Sequence, residues 1–186
     1  ESEQPGRFHY KVTTNGLFLD DTFLAFAEQH RLHIALSHDG LAVAHDAFRI
    51  RPNGGGTSTA VTEALQRLLA RRPYSPVLMT VNPETVEHYA DSVRWLQAQG
   101  VQYLIASLNY AGPWTQPLLG QLEKQYRVLA DWHLGNYRRE RKFYFSPFDK
   151  RIASRIFPER GSSCRLGKRQ ISVGPDGTLY PCVQFV

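Results

Sequence analysis

The sequence predicts an α/β fold: a parallel sheet covered by helices. Three features carry that expectation. Apolar runs of strand length alternate four times with segments of helical period, the runs are apolar throughout rather than alternating apolar with polar, and each ends in small polar residues. Such ends matter because ligands of open and closed α/β sheets collect at the carboxyl ends of the strands.

Taken in order, Phe8 to Thr13 reads as a short strand, and Thr14-Asn15-Gly16 turns the chain towards Asp21, a residue suited to capping a helix that runs to about His30. Leu32 to Leu36 is the second strand, leaving through Ser37-His38-Asp39-Gly40 into a long polar excursion that includes Asn53-Gly54-Gly55-Gly56. Val61, Leu65, Leu68 and Leu69 then fall on one stripe of a helix. Pro76 to Val81 is the third strand; Asn82 caps, Pro83 takes the first helical position, and Val86, Tyr89, Val93 and Leu96 face inward up to Gly100, which suits a helix stop. Val101 to Ser107 is the fourth strand. Thr115 and Pro117 open a last helix with Leu118, Leu122, Tyr126 and Leu129 inward. The four exits, at Thr14, Ser37, Thr80 to Asn82, and Ser107 to Asn109, are all polar. Turn chemistry alone explains any one of them; four together lean towards a shared pocket.

With 186 residues, 42% of them hydrophobic and 12% aromatic, the chain can bury a sizeable core and is not a disordered tail. No apolar run is long enough to span a bilayer, no secretory signal opens the chain, and two cysteines are too few for a disulfide scaffold, so a reducing cytoplasm is the expected compartment and no membrane partner is expected. The net charge of +5 is concentrated: residues 137–169 hold eleven Lys or Arg against three acidic residues. Phe143, Tyr144, Phe145 and Phe148 interleave with these charges and no nucleic-acid motif accompanies them, so a solvated or peptide-facing surface is expected rather than a nucleic-acid site. After Asn136 the periodicity is lost. The expected division is a sheet domain at 1–137, a linker at 138–163 and a small terminal unit at 164–186.

The terminal unit contains both cysteines. Ile171 to Val173 can run as a strand, Asp176-Gly177 supplies a tight turn, and Leu179-Tyr180 returns, so a hairpin would bring Cys164 and Cys182 near each other. Two adjacent thiolates can ligate a soft metal or an iron–sulfur cluster, though four ligands are needed; buried free thiols or a disulfide fit the spacing as well.

The spacing from Cys164 to Gly177 and Cys182 resembles the opening of the SPASM extension of radical S-adenosylmethionine enzymes. A second match lies upstream: Ser37-x-Asp39-Gly40, His45-Asp46-x-x-Arg49 and Gly56-Thr57 closely resemble the segment after the fourth strand of the radical S-adenosylmethionine barrel in SPASM enzymes, sulfatase and peptide maturases among them, and Thr14-Asn15-Gly16 fits the preceding exit. The resemblance implies a partial (β/α) barrel of about four strand–helix units followed by a SPASM-like hairpin. It implies that Ser37 and Arg49 contact S-adenosylmethionine, Arg49 pairing with its carboxylate, that Thr14 and Asn15 lie near that cofactor, and that Cys164 and Cys182 ligate an auxiliary 4Fe-4S cluster. A guanidinium fork matches a carboxylate and a serine hydroxyl can satisfy a ribose or amino group; without the family, Arg49 reads equally as a surface arginine and Ser37 as a turn residue. The implied activity is reductive cleavage of S-adenosylmethionine to a 5′-deoxyadenosyl radical that modifies a peptide or protein substrate, with flavodoxin or ferredoxin as electron donor.

Departures from the family are equally plain. The chain has no Cys-x-x-x-Cys-x-x-Cys loop for the radical-generating cluster, no Gly-Gly-Glu-type motif and no further cysteines, which implies an internal piece of a longer enzyme, inactive alone, with open sheet edges through which it could dimerise. Val183 stands where sulfatase maturases place an aspartate base, which argues against formylglycine formation. Two other readings compete: a non-catalytic peptide-binding module with inert or zinc-binding cysteines, and an ordinary α/β enzyme binding phosphate at Gly54-Gly55-Gly56, a loop that lacks the Lys-Ser/Thr of a P-loop.

Overall fold

The computed structural model describes residues 9–158, 171–174 and 176–182. Five strands, β1 (Lys11–Thr14), β2 (His33–Ser37), β3 (Val77–Val81), β4 (Tyr103–Leu108) and β5 (Tyr144–Phe145), pair in that order, and every pair is parallel. An order without reversal, joined by crossovers of one hand, places all connecting helices on the same face of the sheet. This is the winding of a barrel wall and not of a doubly wound sheet.

The register makes the two faces explicit. Leu36, Val77, Leu104 and Phe145 form one row across four strands, each 0% exposed and packed in the core with Val61, Leu65 and Leu68 of α3 (Ser58–Arg71) and with Val93 and Leu96 of α4 (Tyr89–Ala98). The neighbouring row, Ser37, Leu78 and Ile105, points to the opposite side and stays outside that core. Leu78 and Ile105 are why the strands read as unbroken apolar runs although helices cover one face.

Helix ends follow local chemistry. α1 (Asp21–Gln29) is capped by Asp20, whose carboxylate accepts from the Phe23 N–H at 2.7 Å, one residue before the cap expected. Asn82 and Pro83 open not an α-helix but a 3-10 helix, Pro83–His88, that leads into α4. Gly100 ends that segment with φ +97°, and α5 (Gln116–Arg138) starts after Thr115 and buries Leu122 and Leu129.

The stretch expected as a linker is structured. β5 and α6 (Ser146–Ile156) lie within it, and the first of two compact units extends from Glu1 to Lys150. The Ser146 hydroxyl accepts from the Ala106 N–H at 3.1 Å, extending the β4–β5 pairing, while Asp149 accepts from the Phe145 N–H at 2.5 Å and from the Tyr137 hydroxyl. Beside it the buried His133 ring packs among Tyr137, Phe143, Phe145 and Phe148. Periodicity fails in this stretch because a two-residue strand is too short to show one.

The second unit, Arg151 to Val186, contains the expected hairpin: β6 (Ser172–Val173) pairs antiparallel with β7 (Leu179–Tyr180). Gly177 takes φ +84°, and Asp176 accepts from both the N–H and the hydroxyl of Thr178. Cys182 is a free, buried thiol, and Cys164 lies outside the described residues.

Candidate functional site

The candidate site is built where β2 and β3 part. Their ladder ends with the His38 N–H donating to the Leu78 carbonyl at 2.9 Å. The next donor, the Thr80 N–H, meets the Asp39 carboxylate at 2.9 Å, so a side chain takes the place of a strand carbonyl and spans the gap between the two strand ends. Gly40 then turns the chain at φ +95°. A Cβ there would lie 2.1 Å from the Ser92 Cβ, so this position admits only glycine. The Leu41 N–H donates to the Ser92 hydroxyl, which seats the short helix α2 (Ala42–His45), absent from the sequence reading, against α4.

From the end of α2, Arg49 returns to the strand exit. Its Nε–H donates to Asp39 Oδ2 at 2.6 Å and its Nη2–H to Oδ1 at 3.0 Å, a two-point ion pair with Asp39 4% exposed and Arg49 27%. Behind the pair, the Asp39 N–H donates to His45 Nδ1 at 3.2 Å. That bond makes Nδ1 an acceptor, so the proton sits on Nε2, which donates to Thr57 Oγ1 at 3.0 Å; the Thr57 hydroxyl donates in turn to the Arg49 carbonyl at 2.6 Å. Asp39, His45, Thr57 and Arg49 thereby close a ring of hydrogen bonds. Burial lowers the affinity of His45 for a proton, and the Arg49 charge adds to the effect against the opposing pull of Asp39 and Asp46.

Two neighbours complete the framework. Asp46 accepts from the Thr57 and Ser58 N–H groups, each at 2.8 Å, and from the Ser58 hydroxyl at 2.6 Å, capping α3 from eleven and twelve residues upstream. Burial alone would raise this carboxyl; the bonds from Ser58 and Thr57 outweigh it and hold the group below its ordinary value. The N-terminus of α3 is therefore already occupied by an anion, which removes the phosphate reading of the Gly54-Gly55-Gly56 loop. His38, 0% exposed, accepts the Gly40 N–H on Nδ1 and faces the Thr62 hydroxyl with Nε2.

The residues singled out in the sequence separate into two groups. Ser37 and Arg49 are both tied to the β2 exit: Ser37 ends the strand two residues before Asp39, which holds Arg49, in the row outside the helix-covered core, and its hydroxyl has no hydrogen bond among the described residues. Thr14 and Asn15 serve their own turn, Thr14 Oγ1 accepting from Gly16 N–H at 3.1 Å and Asn15 Oδ1 from Leu17 N–H at 3.2 Å. Thr14 also shares a row with Leu36, on the helix side. At the next exits, Asn109 donates from Nδ2 to Asn82 Oδ1 at 2.9 Å and pins β4 to β3. Asp39, His45 and Thr57 belong to the same constellation; their signal in the sequence was the spacing around Arg49, but their partners lie too far apart in the chain to be paired by eye.

Chemically, the site offers one charged donor and one hydroxyl at the mouth of a sheet. Asp39 takes the Nε–H and one Nη2–H of the guanidinium; the second Nη2–H and the Nη1 hydrogens have no bond to a described residue, and together they match a carboxylate. Asp39, Ala44, Met79, Thr80, Thr85 and Ser92 border a void of about 10 Å³, room for at most one water and too small for a larger ligand. Among the described residues no three His, Cys, Asp or Glu side chains gather as metal ligands, and Cys182 is the one described thiol. Cys164, expected with Cys182 as an auxiliary-cluster ligand, lies outside the described residues. No described helix is long and apolar enough to cross a membrane.

No family model matches the chain. Among solved structures, it superposes on anSMEcpe, an anaerobic sulfatase-maturing enzyme, in its native form with bound AdoMet, with a TM-score of 0.75 and 20% identity over 94% of this chain and 50% of that one. The histidine-tagged form with bound AdoMet gives 0.77 and 20% over 96% and 49%. The native form with AdoMet and the Cp18Cys peptide gives 0.75 and 19% over 96% and 52%. At this identity the likeness is one of fold: an α/β wall of parallel strands and helices, in a chain that spans about half the length of the structures it matches.

Proposed function

We propose that this chain is part of a radical S-adenosylmethionine enzyme acting on a peptide or protein, and that the exit of β2 receives the amino-acid end of S-adenosylmethionine. One observation carries the reading: the Arg49 guanidinium is held by Asp39 at the exit of β2, the strand that Ser37 ends, with donor hydrogens left unspent. The fold shared with structures holding bound AdoMet supports it, and the peptide complexes among them support a peptide substrate. Arg49 would grip the carboxylate end-on, Ser37 would bond the ribose or the amino group, and the Thr14-Asn15 turn and the Asn109–Asn82 hydrogen bond would shape the rim. When bound, S-adenosylmethionine supplies on one-electron reduction the 5′-deoxyadenosyl group that removes hydrogen from a substrate. The electron would come from a donor of the flavodoxin or ferredoxin kind.

The test is calorimetric binding of S-adenosylmethionine to the full chain. Arg49→Ala should weaken binding by about tenfold to a hundredfold, the value of a charge-assisted hydrogen-bond pair; an unchanged affinity refutes the reading. The burial of the Cys182 thiol favours a second reading, a non-catalytic peptide-binding module with inert or zinc-binding cysteines, in which S-adenosylmethionine does not bind at all.

A further inference from the structure

Resting on the assignment of Arg49 to the carboxylate of S-adenosylmethionine, we propose that Asp39 is the positioning residue of this site, selecting the one guanidinium edge that a ligand can reach. Asp39 is too committed to be a ligand group itself. Its Oδ1 takes the Nη2–H of Arg49 and the Thr80 N–H, its Oδ2 takes the Nε–H, and the side chain is 4% exposed. What it does is fix a rotamer-rich side chain. An unpaired arginine on a loop samples many orientations and loses that freedom on binding; one bonded along its Nε/Nη2 edge has already lost it.

The anchoring is redundant in a way that a simple surface ion pair is not. Asp39 is tied to β3 through the Thr80 N–H, to His45 through its own N–H, and through His45 and Thr57 to the backbone carbonyl of the very arginine it holds. Both ends of Arg49, its main chain and its guanidinium, are therefore referred to the end of β2, where Ser37 also stands. Distance between the two donors is thereby set by the sheet and not by the loop between residues 46 and 57.

The experiment compares two ligands that share the nucleoside and differ in the amino-acid end: S-adenosylmethionine and 5′-methylthioadenosine, which has no carboxylate. Asp39→Asn keeps the size of the side chain and removes its charge, and should lower affinity for S-adenosylmethionine by about tenfold while leaving 5′-methylthioadenosine within about twofold. Thr57→Val keeps every charge, opens the ring at the Arg49 carbonyl, and should lower S-adenosylmethionine affinity by about threefold with the same indifference of the second ligand. In nitrogen-15 spectra the Arg49 Nε–H should exchange slowly in the parent chain and rapidly in Asp39→Asn. Arg49→Lys separates the layers: if it leaves S-adenosylmethionine binding intact, the carboxylate assignment falls, and the proposal with it. If Arg49→Lys weakens binding but the Asp39 and Thr57 variants bind both ligands at parent strength, or lose both equally, the assignment stands and the positioning role is overturned.

Discussion

His38 and His45 lie side by side beneath the strand exit, ring centroids 4.5 Å apart, each accepting a backbone N–H on Nδ1. Neither has room for a second proton. Burial above all, then the repulsion a protonated His45 would exert and the charge of Arg49, push His38 down to about 3 against the opposing charge of Asp46. In the unfolded chain the same ring titrates near 6.5, so between these values the unfolded state binds more protons and stability falls as the pH falls. His38 thus contributes fully above about 6.5 and progressively less below it; at about pH 4.5 its share of the loss is of the order of 2 to 3 kcal/mol. His45 shifts in the same direction and adds to it. Urea midpoints measured at three acidities should therefore decline from neutral pH downward, and His38→Gln should flatten the decline by about one proton; a midpoint independent of pH over that window contradicts the neutral pair. The spacing Ser37-x-Asp39-Gly40 with Arg49 downstream marks this exit as a candidate site, but the tautomers are not legible in it. They depend on which backbone N–H meets which nitrogen, and no linear pattern records that.

At the level of elements, the helix that supports the site is fastened from outside itself. The residue before α3, Thr57, has φ −115° and ψ −7° and makes no capping bond with its side chain, because its hydroxyl serves the Arg49 carbonyl instead. Asp46 supplies the cap, and the loop between the two is drawn tight enough that a Cβ on Gly56 would lie 2.5 Å from the Asp46 carboxyl. Asp46→Ala removes three hydrogen bonds at once and should cost about 2 to 3 kcal/mol in urea unfolding, above the usual value of a single cap. A loss below about 0.5 kcal/mol would show that water replaces the carboxylate without penalty. The stripes of α3, α4 and α5 were readable because apolar residues at helical spacing need only their own period. This distant cap, the four-residue α2 and the two-residue β5 were not, since each is fixed by partners many residues away.

For the molecule as a whole, the question is what a half-covered parallel sheet does with its other side. Leu104 and Ile105 are adjacent in β4 and of equal size, yet Leu104 is 0% exposed within the helix-covered core while Ile105, in the row of Ser37 and Leu78, lies outside it. The alternation of side chains along a strand assigns them to opposite faces. Leu104→Ala should therefore cost about 2 to 5 kcal/mol, the range for a buried leucine, and Ile105→Ala only about 1 kcal/mol, the value of a partly exposed side chain. Urea unfolding of both variants at two protein concentrations decides the matter. If Ile105→Ala costs as much as Leu104→Ala, and more so at high concentration, then the open face is buried in solution against a second copy paired along the free edges of β1 or β5. If the two costs differ as expected at every concentration, Ser37, Ile105 and the free edge of Arg49 share a face open to solvent, which is the condition any ligand at the β2 exit requires.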